Sequence, residues 1–91
     1  MHKILQYFFK KRNKKITYGG KSLIYDRDGQ KYFIKSEFLI GKPNIIVYWD
    51  KMYPILNKDA IMEKELKKEI ASEIKVELQQ EGLSVELHPY L

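Results

Sequence analysis

The chain is 91 residues long, with 17 Lys+Arg against 12 Asp+Glu, a net charge of +5 and no cysteine. A chain of this length buries only about 60–65% of the surface its unfolded form exposes, which allows one modest core and excludes a multi-domain reading. Without thiols there is no disulfide framework, no thiolate metal site and no cysteine nucleophile. Apolar runs such as Ile45 to Trp49 fall far short of the roughly 20 residues that cross a bilayer. The basic-then-apolar start, Met1 to Phe9, carries no cleavage-site pattern. The expectation is a single domain over residues 1–91, cytoplasmic, with residues 1–15 a basic N-terminal element and 16–91 a sheet-plus-helix core.

Charge is unevenly placed. Residues 1–21 hold seven basic groups and no acid, whereas the remaining seventy hold ten basic and twelve acidic groups. The basicity is therefore local, and a nucleic-acid reading has to rest on that one stretch. Within it Ile4, Leu5, Phe8 and Phe9 recur at spacings of three and four, which predicts a short amphipathic helix. Lys10 to Lys15, KKRNKK, follows as a connector whose like charges repel.

Lys15 to Tyr18 reads as a short strand, with Gly19-Gly20 as the bend after it. Asp28-Gly29 then lies between two β-rich runs, and these residues tolerate the positive φ values of a two-residue type I′ turn. That turn fixes a register in which Leu23 opposes Ile34, Ile24 opposes Phe33, Tyr25 opposes Tyr32 and Asp26 opposes Lys31. Ile40 to Pro43 is the next turn. Asn44 to Asp50 is the most strand-like window and is expected as the central strand, with Ile45, Val47 and Trp49 on one face and Ile46 and Tyr48 on the other. Pro54 argues against a following strand except at an edge.

A helix is expected from about Lys58 to Gln80, capped by Asn57 or Asp59. Met62, Leu66, Ile70, Ile74 and Leu78 recur every four residues beside Ala71, and Glu63/Lys67 and Glu65/Lys68 sit at favourable spacings on the outer face. Gly82 ends it, and Leu83, Val85 and Leu87 alternate with Ser84 and Glu86 as a last strand. The fold class is α+β: an antiparallel or mixed sheet of four to five strands, one long helix from the C-terminal half packed on one face, and a short N-terminal helix.

The residues that carry chemistry are sparse. His2 and His88 stand near opposite ends without neighbouring ligands, and no metal is expected. Asp26 to Gly29 fails as a calcium loop, because Ile24 and Lys35 would fill positions that need carboxylates. No serine lies in a G-x-S-x-G elbow, and there is no phosphate loop. The residues give no enzyme and no cofactor. Lys10, Lys11, Arg12, Lys14 and Lys15, interleaved with Tyr7, Phe8, Phe9 and Tyr18, form the best nucleic-acid feature. Tyr48, Trp49 and Tyr53, beside Asp50 and Lys51, are the residue types that dominate protein interfaces.

The order of Ile16-Thr17-Tyr18, then YDRDGQKYFIKSEFLIG (Tyr25 to Gly41), NIIVYW (Asn44 to Trp49), Pro54 and a Lys/Glu-rich helix with Ile70 and Ile74 resembles a small α+β family of immunity proteins. These belong to bacterial polymorphic-toxin and contact-dependent-inhibition systems. The likeness runs from Ile16 to about Leu78, and the basic segment before Ile16 has no counterpart in the family pattern. It implies a non-catalytic inhibitor that binds a cognate toxin C-terminal domain. The expected partner-binding residues are Glu37, Tyr48, Trp49, Asp50 and Lys51. With a chain of +5, either the toxin is acidic at the contact or the contact uses residues 57–91, which sum to −3. The alternative is a nucleic-acid-binding module using Lys10, Lys11, Arg12, Lys14 and Lys15; a membrane partner is not expected. Oligomeric state stays open, since a free edge over Leu83 to His88 could pair with a partner strand or a second copy.

Overall fold

A computed structural model describes residues 15–91; the expected N-terminal helix and the basic residues Lys10, Lys11, Arg12 and Lys14 lie outside the described residues. The rest is α+β. Strands β1 (Ile16–Tyr18), β2 (Ser22–Arg27), β3 (Gln30–Phe38) and β4 (Ile45–Pro54) precede helix α1 (Lys64–Gln80), and β5 (Val85–His88) follows it. The sheet order is β1-β2-β3-β4-β5, antiparallel except for the parallel β4–β5 pair that α1 bridges. The central position falls to β3, not to the Asn44–Asp50 window, because β5 returns beside β4 and adds only one strand on that side.

The β2–β3 hairpin has the register that its turn dictates. Asp28 and Gly29 both take positive φ, 53° and 89°, and the Asp26 carboxylate accepts the Gly29 N–H at 2.8 Å. Leu23 therefore lies beside Ile34 and Tyr25 beside Tyr32 on the face toward the core, with Ile24 beside Phe33 on the other. At the far end of β3 the chain turns through Gly41. Asn44 braces this turn, its amide donating to the Gly41 carbonyl at 2.8 Å while its side-chain oxygen accepts the Ser84 N–H at 2.7 Å. One side chain thus ties the β3–β4 loop to the entry of β5.

The helix is shorter than its sequence pattern predicts. It begins at Lys64, with an extended Glu63 at the cap and no side-chain capping bond. Asn57 and Asp59 do not cap it. The Asn57 N–H bonds the Pro54 carbonyl and its own carbonyl takes the Ala60 N–H, so these residues build the turn that carries the chain off β4. The apolar stripe explains the later start, since Ile61 is almost fully exposed and contributes nothing to it, whereas Met62 already packs on the core. Seventeen residues at about 1.5 Å each make a rod of roughly 25 Å. At the other end Gly82 is left-handed, φ 87°, its N–H bonding the Gln79 carbonyl and the Leu83 N–H the Leu78 carbonyl, a Schellman closure.

Ile70, Ala71, Ile74 and Leu78 of α1 are buried against Ile16, Leu23, Ile34, Ile45, Val47, Trp49 and Leu87 of the sheet. Each fully buried aliphatic side chain contributes about 1.5–3 kcal/mol of transfer free energy. Carboxylates on one flank of the helix reach down to β1 and β2. Glu81 accepts the Tyr18 hydroxyl at 3.0 Å, Glu73 accepts the Tyr25 hydroxyl at 2.8 Å, and Arg27 bridges Glu69 and Glu73. Burial, then the hydrogen bond to Glu73, holds the Tyr25 phenol well above its ordinary range. No helix among the described residues is long and apolar enough to cross a membrane.

Candidate functional site

The opposite sheet face carries no helix among the described residues, and its half-exposed side chains come from alternate positions of β2 to β5. What makes that face continuous is an irregularity in β4. Ile34 pairs with Met52, yet the next β3 residue, Lys35, pairs with Tyr48. Trp49, Asp50 and Lys51 are therefore three extra residues on β4, a bulge opposite a single step of β3. Tyr48 and Tyr53 are five apart and would point to opposite faces of a regular strand. Subtracting the bulge leaves an even step, so both stand on the uncovered face: Tyr53 opposite Phe33, Tyr48 opposite Lys35.

The five expected partner-binding residues separate on this geometry. Glu37 and Tyr48 come together on the uncovered face, the Tyr48 hydroxyl donating to the Glu37 carboxylate at 2.8 Å. That bond is the main reason the Tyr48 phenol is raised above its ordinary range. Asp50 and Lys51 are exposed in the bulge, and the Asp50 carbonyl accepts the Lys67 ammonium at 3.1 Å. Trp49 is on the other side. It is 2% exposed, packed in the core under α1, with its indole N–H donating to the Pro89 carbonyl. The alternation that places it beside Ile45 and Val47 also removes it from any outward contact, so Trp49 is a structural anchor of the bulge.

Residues the sequence reading left aside complete the array. Parallel pairing sets His88 beside Tyr48 and Glu86 beside Ile46. The His88 ring meets Tyr48 edge-on, 5.9 Å between centroids, and Tyr90 at 4.7 Å. Glu86 takes hydrogen bonds from His88 and from the Tyr90 hydroxyl, which lower its pKa in that order of size. One end of the face is thus a linked patch of phenols, imidazole and two carboxylates. The Lys35 ammonium lies 5.8 Å from the Tyr48 ring centroid and marks the boundary of this patch. Beyond it Phe33 and Tyr53 stack at 4.7 Å and 18°.

Of the basic segment, Lys15 alone is described; it is exposed just before β1, its carbonyl accepting the Asp26 N–H. Among the described residues no group of three or more His, Asp or Glu could hold a metal ion. A scan against family models and searches of curated proteins and of solved structures return no match for the chain.

Proposed function

We propose that this chain is an immunity protein, a non-catalytic inhibitor that binds one cognate bacterial toxin domain through the uncovered face of its sheet. The observation that carries the reading is the array of Glu37, Tyr48, Glu86 and His88 on three adjacent strands, joined by Tyr90 from the segment after β5, and linked by hydrogen bonds and ring contacts. Aromatic side chains fixed on strands lose little conformational entropy on binding, and rigid rings with polar rims are the groups that anchor protein interfaces. The resemblance of the sequence runs from Ile16 to about Leu78 to the immunity family supports the same reading. Glu37, Tyr48, Asp50 and Lys51 are the expected contacts, Trp49 being inaccessible.

The test is co-expression with the C-terminal domain of whatever protein is encoded immediately upstream of this chain. Rescue of growth and a stable one-to-one complex are expected. Loss of rescue by the pair Glu37→Lys and Tyr48→Ala in a protein that still folds would place the contact on this face. A neighbour that is neither toxic nor retained would end the reading, and salt-sensitive binding of nucleic acid by residues 10–15 would take its place.

A further inference from the structure

The second half of the uncovered face has a different chemistry from the first. Around the stacked Phe33 and Tyr53 lies an open groove of about 460 Å³. Its rim carries Lys21 from the turn before β2, Lys35 from β3, Lys51 from the bulge and Lys58 from the turn after β4. All four lysines are exposed, and Asp50 is the single carboxylate among the lining residues. None of the four forms an ion pair among the described residues, whereas the helix cation Lys68 lies 3.7 Å from Glu65 and Lys67 bonds the Asp50 carbonyl. Four separate elements thus bring like charges around an apolar centre. Lysine stems can lie along that centre while their ammonium heads remain in water. Like charges gathered on one rim repel where they lie within the roughly 8–10 Å screening length at ordinary ionic strength, and acidic groups of a partner would relieve that repulsion.

We infer that this lysine-rimmed aromatic groove is the docking site for an acidic patch on a protein partner. The inference rests on the inhibitor reading and names the chemistry that the toxin domain presents. An apolar or aromatic side chain of the partner seats against Phe33 and Tyr53, and Asp and Glu around it meet Lys21, Lys35, Lys51 and Lys58. The ring geometry favours a protein over single-stranded nucleic acid. A base-stacking platform needs ring faces open to the incoming base, and these two rings spend a face on each other.

The experiment measures association of the C-terminal domain encoded immediately upstream with wild-type protein and with the double variant Lys35→Glu/Lys51→Glu, at about 50 and 300 mM salt. Lys68→Glu on the helix is the control, and circular dichroism checks folding. Steering by the rim predicts a wild-type association rate that falls about tenfold or more with salt, and a variant rate at low salt lower by about ten- to a hundredfold with a flat salt response. A variant that associates like wild type, with the same salt slope, overturns the groove and leaves the inhibitor reading standing. If wild type neither rescues nor binds, the inhibitor reading is what fails, and the groove is then decided by NMR titration with a glutamate-rich peptide carrying one tryptophan and with a 20-nucleotide single-stranded RNA. Shifts at Phe33 and Tyr53 with the peptide, lost in the double variant, keep the site. Shifts with RNA alone, or with neither probe, overturn it.

Discussion

The two faces of one sheet are built on opposite rules. Under α1 the centre of the sheet is aliphatic and fully enclosed, Leu23, Ile34, Ile45 and Val47 against Ile70, Ile74 and Leu78, with Tyr25, Tyr32 and Trp49 in the same cluster. On the uncovered face the same strands present Phe33, Lys35, Glu37, Tyr48, Tyr53, Glu86 and His88. The first face carries most of the buried apolar area; the second holds the polar and aromatic groups on which the proposed contact rests.

That contrast is breakable by mutation. Ile74→Ala, at a position with no exposed surface, is expected to cost about 2–5 kcal/mol, out of a total of about 5–10 kcal/mol for a domain of this size. Denaturant unfolding measures it, and a loss below about 1 kcal/mol would mean that the helix is not the principal cover. The Arg27 clamp comes next. Arg27 is partly exposed and its acids are more so, so Arg27→Ala is expected to cost about 0.5–1 kcal/mol, less at high salt. Ser36→Ala acts in the opposite direction. The Ser36 hydroxyl is buried and has no hydrogen-bond partner among the described residues, so its removal should raise stability by up to about 1 kcal/mol, seen as a higher denaturant midpoint at unchanged slope. Tyr48→Phe, on the other face, should change stability by less than about 0.5 kcal/mol while weakening partner binding.

Titration sharpens the same comparison. Tyr25, under the helix flank, has a folded pKa raised above its ordinary value of 10.0. The stability it contributes is fully present below pH 10.0 and is lost as pH climbs through the folded value. Absorbance at alkaline pH should therefore show Tyr25 ionising late, together with Tyr18, whose phenol is also raised. Tyr25→Phe should flatten the alkaline decline in stability. Glu86 has the opposite sign. Its lowered pKa contributes stability above the ordinary value of 4.5 that disappears as pH falls through the folded one.

How much of this could be read from residues alone follows the range of the interaction involved. The hairpin register was legible because Asp28 and Gly29 are adjacent and their backbone preference settles every pair behind them. The buried stripe of α1 was legible from its spacing. The start of the helix was not, because Asn57 and Asp59 have capping chemistry but are used in a turn, and only packing distinguishes Ile61 from Met62. The bulge left no local mark at all. Ile45 to Trp49 alternate evenly, and the three extra residues appear only when β4 is laid against β3. The lysine rim was invisible for the same reason, since Lys21, Lys35, Lys51 and Lys58 are far apart in the chain and ordinary one by one.

The parallel pairing of β5 with β4 has a consequence for the order of synthesis. Four strands are joined by short antiparallel turns and can form as soon as they emerge, because each closure spans few residues. The outer edge of β4 receives its partner only after the whole of α1 and Gly82 have been made. Until then the nascent chain displays an unpaired apolar strand, Ile45 to Trp49, the kind of edge that recruits foreign strands. The strand made after α1 is therefore the one that closes this edge, and a chain stopped after Gly82 should be recovered chiefly as aggregate.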